Sequence, residues 1–522
     1  MSVRGIATHA GPATDDTRAT RKLRAITVGA DILELLSSAM YVDPITIYRE
    51  YVQNAADAVD EARNAGMLEP NQLGRVDILI DPRVRSVRIR DNGCGVPSEV
   101  FCQRLLAIGG SEKRGTLTRG FRGVGRLAGL AFAREVVFRT SAPGESVTSE
   151  LRWNCRQLKT ALLAPNDVGS AADLIRLVTS VAQEESADAD EHFFEVQLNG
   201  VARLGKDQLA SPSAVAAYLS QVAPVPFAPE FSFGTEITKA LSNHIDTRTL
   251  LIHINGAEEP VFRPHRDRIN CDKKRQVTFE NVDVIELPGV DSNVAAVAWI
   301  LHHEYDGALP LGTLVKGLRL RSGNIQVGDH SVLQDIFSET RFNGWTVGDV
   351  HVLDRRIVPN GRRDHFEQNT HYGNLLNHLL PTARAISRRC RTSSIQRKWE
   401  REFETHARAA EEKLAIIGQG GIGKDERNRV ALDVEKVLLR MSKISEMKIL
   451  NTLTHVRAAR IASLREELSS LLNKKVLTAS PLARLSDRER RNYERFFELV
   501  YQCSTNRVAA KSLIDRILMR IA

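Results

Sequence analysis

Hydrophobic positions recur along this chain with distinct spacings, and each spacing predicts a different element. Apolar residues at helical spacing run from about Ile32 to Met40. Pro44 then opens a second helix that continues to roughly Ala65, consistent with proline in a first turn. Val76, Ile78 and Ile80 alternate with polar residues, as do Val87 and Ile89, which predicts a hairpin around Asp81-Pro82. Residues 96–119 read as loop and short helix, and a glycine cluster then leads into an apolar helix ending near Ala133. Glu135–Thr140 and Val147–Trp153 suggest another hairpin around Ala142-Pro143-Gly144, and FFEVQL (193–198) a further strand. Residues 160–190 give no clean period.

After Asn199-Gly200 the pattern becomes mixed. Helices are expected over Ser213–Val222 and Val294–Glu304, and strands in GLRLRSG (317–323) and GDVHVLD (348–354). From about Leu375 onward leucine and isoleucine recur every three or four residues, as in a helical bundle or short coiled coil. Four units follow: a flexible lead over 1–24, an α/β unit over 25–200, an α+β unit over 201–375 and a helical module over 376–522. Ser486 is a plausible N-cap in the last unit.

Bulk properties narrow the class only modestly. At 522 residues the chain is too long for one ordinary core. Hydrophobic content of 42% and charged content of 26% suit a soluble globular protein. The apolar run Val294–Leu301 is far shorter than the roughly twenty residues a membrane helix needs. A polar N-terminus without an apolar signal segment points to the cytoplasm. Six cysteines without a C-x-x-C pair fit a reducing compartment and argue against structural zinc. A net charge of +8 mildly suggests an anionic partner, with a solvated basic surface as the default.

Candidate chemistry lies in three segments: REYVQNAADAVDEA (49–62), VRIRDNGCGVP (87–97) and RGFRGVGRLAG (119–129). Glu50, Asn54 and Asp57 are spaced i, i+4, i+7 on one helix face. Apolar residues fill much of the remaining circumference, so the helix is expected to pack on both sides. An amphipathic helix with a solvated stripe is the plain reading. Asn54, however, is a poor mid-helix residue whose amide oxygen suits Mg²⁺, and a carboxylate one turn earlier can activate water. Alternation puts Asp91 on the same face as Val87 and Ile89, so its carboxylate points inward. A buried carboxylate needs a donor, and a purine amino group supplies one. Gly93 and Gly95 permit close approach of a flat ligand, although D-N-G is also common in turns.

Gly120, Gly123 and Gly125, with Val124 between, precede an apolar helix in a pattern whose exposed amides attract phosphate. The polar, glycine-rich stretch before them suits a mobile lid in which Ser111 and Lys113 reach a phosphate or stay solvated. GQGGIGK (418–424) imitates a phosphate loop, but Asp425 stands where Ser or Thr is needed and no strand precedes it. It reads as a glycine break between helices.

Together the three segments resemble the N, G1 and G2 boxes of the GHKL ATPase superfamily. The opening ADILELLSSAMYVDPITIYREYVQNAADA and GFRGVG are similar to the 90-kilodalton heat-shock chaperones within it. So are SAVAAYLSQVAPVPF (213–227), GLRLRSGNIQVGD and RIVPNGRRDHFE (356–367). The resemblance implies a Bergerat α/β sandwich followed by an α+β middle domain. It implies Glu50 as general base, Asn54 as Mg²⁺ ligand and Asp91 as the reader of adenine. Asn360 and Arg363 match residues that reach the γ-phosphate, with Arg362 as the alternative to Arg363. Asp364 replaces the family's Glu, and Glu191-His192 stands where the family has Gly-Thr. Residues 376–522 show no convincing match. The implied function is a dimeric ATP/ADP-driven clamp on a protein client, with a DNA-acting clamp or a nucleotide sensor without turnover as rivals.

Overall fold

Helix α1 (Thr46–Asn64) forms where Asp43 closes the preceding turn, accepting from Ile45 N at 3.2 Å while Thr46 Oγ1 bonds its carbonyl at 2.7 Å. Its buried residues run almost all round the helix, so it is covered on both sides. In this computed structural model the described residues are 43–69, 72–108, 125–163, 170–185, 188–273, 275–473 and 481–521. The helix expected over Ile32–Met40 lies outside them, as do Ser111, Lys113, Gly120, Gly123 and Val124.

Two expected hairpins are present. β1 (Gly74–Asp81) pairs antiparallel with β2 (Ser86–Asp91), and, after α2 (Ser98–Leu106), β3 (Glu135–Ser141) pairs with β4 (Val147–Asn154). The apolar segment after the glycines is a 3₁₀ helix, Gly125–Ala131. The stretch without a clean period folds as α3 (Cys155–Leu163), α4 (Ala171–Val178) and the exposed strand β5 (Thr179–Glu185). With β6 (Phe193–Asn199), and after α5 (Pro212–Val222) and α6 (Gly234–Ser242) the strand β7 (Leu250–Ile254), these make a seven-stranded sheet of order β5-β4-β3-β6-β2-β1-β7. Only β1–β7 is parallel.

One face of this sheet buries Val76, Ile78, Val87, Ile89, Phe138, Trp153 and Leu198 against α1. The other carries ion pairs such as Arg152–Glu135, Arg139–Glu150 and Arg90–Glu195, the alternation of an antiparallel sheet with one wet face. The boundary expected at 200 does not end the sheet, because 250–254 supplies its edge.

After the short pair β8 (Arg268–Asn270) and β9 (Gln276–Thr278), a second sheet joins β10 (Asn281–Pro288), β11 (Val294–His302), β12 (Gly317–Ser322), β13 (Ile325–Val327) and β14 (Val347–Val352) in the order β10-β11-β14-β12-β13. The helix expected over Val294–Glu304 is thus corrected to the strand β11. Its alternate residues enter two cores: Ala296, Ala298 and Ile300 on one side, Val297, Trp299 and Leu301 on the other. A strand covered on both faces reads as a continuous apolar run, which periodicity alone cannot tell from a buried helix.

The helical region opens with α7 (Thr370–Gly418), whose first half packs on the second sheet through Leu375, Leu379 and Ile386. Its second half joins α8 (Lys424–Ser445) and α9 (Thr454–Asn473) around Leu414, Leu438 and Leu464. α10 (Asp487–Cys503), capped by the expected Ser486, packs with α11 (Arg507–Ile521) around Phe497. GQGGIGK is the break between α7 and α8, with Gly420 at φ +69°. Among the described residues no helix is long and apolar enough to cross a membrane.

The segment linking α5 to the second sheet is held by charge. Asp349 Oδ2 on β14 accepts from Arg321 Nε at 2.6 Å and Arg263 Nη1 at 2.9 Å. The same guanidiniums donate to the carbonyls of Gln221 (2.7 Å) and Val225 (3.2 Å). Burial alone would raise Asp349, yet the two arginines hold it well below the usual carboxylate range. Its contribution to stability is therefore present at neutral pH and is lost only as pH falls through that depressed value. Truncating one member of a buried pair leaves the partner's charge unmatched. Asp349→Ala should cost about 3–5 kcal/mol in urea unfolding at pH 7; a loss under about 1 kcal/mol would show that water or a relaxed side chain replaces the carboxylate.

Candidate active site

Glu50 lies near the N-terminal end of α1, the helix that packs under the first sheet, and is almost fully buried. A carboxylate there must be matched. Arg49 Nη2 lies 3.2 Å from Glu50 Oε1, and Arg363 Nε, from the loop after β14, lies 3.7 Å from the same oxygen. Arg363 also donates to Gln53 Oε1. Arg49 in turn donates to the carbonyls of Arg362 (3.1 Å) and Arg363 (3.4 Å), so helix and loop grip each other reciprocally.

The loop is built to deliver that arginine. A bridge between Pro359 and Phe366 closes it, and Asn360 Nδ2 donates to Asp364 Oδ1 at 2.5 Å. Arg363 takes φ +55°, with its carbonyl accepting from Gly328 N at 2.9 Å. Of the two arginines, Arg363 reaches α1 with its side chain, whereas Arg362 is exposed and offers its carbonyl. Asn360 ties the loop to itself.

One turn along α1, Asn54 is half-buried, and among the described residues its amide has no hydrogen-bond partner. Gln53 Nε2 is buried and, among the described residues, has no hydrogen-bond partner. Asp57 is buried on the same helix. At Gly125 a Cβ would stand 2.7 Å from Glu50 Oε2, so glycine lets the backbone run close beside this carboxylate. Among the described residues no group of three or more His, Cys, Asp or Glu side chains forms a metal cage. A single half-buried amide oxygen such as that of Asn54 nevertheless suits Mg²⁺, which keeps water and phosphate in most of its shell.

Asp91 ends β2 facing inward, as alternation predicted, and is buried with Val87 and Ile89. Burial pushes its carboxyl up to about 7, opposed by the N–H groups of Gly93 and Phe194 and by the Arg90 charge. Gly93 N donates to Asp91 Oδ1 at 2.9 Å. A Cβ at Gly93 would press on Ala58 of α1 at 2.6 Å, and Gly95 sits at φ +64° against the Ser141 carbonyl. Glu50, Asn54 and Asp57 share α1, with Gly125 and Arg363 beside Glu50, and Asp91, Gly93 and Gly95 lie together in a turn against Ala58 of the same helix. Sequence reasoning missed Arg49 and Gln53. Their signal was two polar residues, four apart, on a helix expected to be covered on both sides.

Residues 46–183 match the family model described as histidine kinase-, DNA gyrase B- and HSP90-like ATPase. That stretch thus matches an ATPase-domain model, and such a domain implies ATP binding. The chaperone protein HtpG of Polaromonas naphthalenivorans is 26% identical over 141 residues, 24% of this chain and 22% of that protein. HtpG of Alkalilimnicola ehrlichii is 23% identical over 217 residues, 38% of this chain and 32% of its own. HtpG of Mesorhizobium japonicum is 29% identical over 111 residues, 20% and 18% of the two chains. The chain therefore spans between about a fifth and a third of the length of these relatives.

Asp91 yields a signed stability prediction. Its folded value lies above the ordinary 3.8, so its stabilising contribution is full below that value and declines as pH rises through about 7. Asp91→Asn removes this decline. Without added nucleotide, the variant should gain roughly 1–3 kcal/mol over the parent between pH 4 and pH 8. A stability difference that stays flat across that window in scanning calorimetry contradicts the assignment.

Proposed function

We propose that this protein is a Mg²⁺-dependent ATPase that couples nucleotide turnover to conformational cycling on a protein client. The observation carrying this reading is the Arg363 guanidinium, delivered from the second sheet to within 3.7 Å of the Glu50 carboxylate on the first domain's α1. A cation supplied from a separate unit beside a buried carboxylate is the arrangement that domain docking needs for phosphoryl-transfer chemistry.

In this reading Asp91 accepts from the adenine amino group, with Gly93 and Gly95 allowing the ring to approach. The amides around Gly120, Gly123, Val124 and Gly125 cradle phosphate, and Ser111 and Lys113 close over it. Mg²⁺, when bound, neutralises phosphate charge. Asn54 would hold it through its amide oxygen, with Asp57 and Asn360 supporting the surroundings of the phosphates. Arg363 exchanges Glu50 for the γ-phosphate, which frees the carboxylate to orient and deprotonate the attacking water. Arg49 keeps its hold on the loop carbonyls during that exchange.

The protein-client reading draws on the names of the chaperone relatives. Self-association through the helical region is supported by exposed apolar residues there, including Leu432 and Leu439 one heptad apart on α8. The net charge of +8 leaves a DNA-acting clamp as the second reading. DNA affinity falling steeply with salt would favour it, and absence of DNA binding removes it.

Glu50→Ala should bind ATP while losing on the order of a hundredfold or more in kcat. Arg363→Ala should lose about ten- to a thousandfold in kcat with ATP affinity nearly unchanged. Hydrolysis at the parental rate in Glu50→Ala rules out the proposed base. An unchanged kcat in Arg363→Ala transfers the role to Arg362 or to no arginine of this loop.

A further inference from the structure

The turn that carries Asp91 is fixed at both ends by side chains from elsewhere in the fold. At one end His192 Nδ1 lies 2.7 Å from the Gly93 carbonyl. A carbonyl only accepts, so Nδ1 carries the proton. At the other end Val96 N donates to Thr140 Oγ1 at 2.9 Å, and that hydroxyl donates to the Phe193 carbonyl at 2.7 Å. Phe193 adjoins His192 in the chain, so the contacts close a circuit from Gly93 through Val96, Thr140 and Phe193 back to His192.

The anchor for this circuit is Arg90. It pairs with Glu191 and lies 3.6 Å above the Phe193 ring, bracketing His192 on both sides. Phe194, the next residue, is the cross-strand partner of Asp91 and sends its N–H toward that carboxylate. Gly93 has no side chain with which to hold itself, and its own N–H is committed to Asp91 Oδ1. The flanking N–H groups of Asn92 and Cys94 are held by the Arg75 and Ala58 carbonyls, at 3.2 Å each, which leaves the Gly93 carbonyl to find its own donor. His192 supplies it.

We propose that His192 is a positioning residue for base recognition: its Nδ1–H holds the Gly93 carbonyl and thereby fixes the turn that presents Asp91 to the purine. This rests on the adenine-nucleotide reading of the pocket. The imidazole acts through the backbone of the turn, and the contact is one hydrogen bond at a half-buried position. Its loss should therefore lower affinity by about three- to tenfold and leave the fold intact.

The chemistry sets the test. Asn places an amide N–H at nearly the position of imidazole Nδ1, whereas Leu has similar bulk and no donor. ADP affinity with Mg²⁺ present would be measured by calorimetry for the full chain, for His192→Leu and for His192→Asn. Amide hydrogen exchange at Cys94 and Gly95 would be followed without nucleotide. The expected result is weaker ADP binding and faster exchange in the Leu variant, both restored toward the parent by Asn, with unchanged melting temperatures. Parental affinity and exchange in His192→Leu overturn the inference, as does an Asn variant no better than Leu. If the parent itself fails to bind ADP, the nucleotide reading falls first, and the exchange experiment alone then decides whether His192 holds the turn.

Discussion

A carboxylate kept from water has to find positive charge or hydrogen bonds, and at Glu50 this requirement joins two units of the protein. One partner, Arg49, is its neighbour on α1; the other, Arg363, comes from a loop more than 300 residues later in the chain. Because Arg49 also donates to the backbone of that loop, removing the ion pair would disturb more than a charge. The helix is in turn pinned by sheet, 3₁₀ helix and α5, so its polar residues cannot swing out to solvent. The rigidity of α1 is what turns a local pairing into contact between separate cores.

The second sheet serves this contact from a distance. Asp349 aligns Arg321 and Arg263, and those arginines hold the backbone that leaves α5. Around them His265 and His351 stay neutral, each pushed down to about 3 by burial with the nearby guanidiniums contributing. One acidic group thus stands among several basic ones in a dry interior, where a missing partner is expensive. The loop bearing Arg363 follows β14, the strand on which Asp349 sits, so the anchor and the delivered arginine share one scaffold.

Legibility in the sequence followed burial. Strands β1 to β4 and β6 were visible because one face is apolar and the other charged. β11 was misread because both of its faces are covered, and β5 escaped notice because its edge position exposes nearly every side chain. That β7 would pair with β1 was not readable, since partner choice between distant strands is a tertiary matter. In the site, Glu50, Asn54 and Asp91 stood out through spacing and facing, while Arg363 was reached only through family resemblance. His192 was noticed as a departure from that resemblance, and its hydrogen bond to the turn could be seen only in three dimensions.

Helix α7 belongs to two cores at once, seated on the second sheet at its start and inside the helical bundle at its end. Its 49 residues amount to about 70 Å of helix, with Arg397 still over the Trp345 ring of the second core and the buried residues from Phe403 onward belonging to the bundle. Such a boom converts small angles into large travel. A tilt of about 10° at the seated end would sweep the bundle through roughly 5 Å, given the 1.5 Å rise per residue of the arm beyond Arg397.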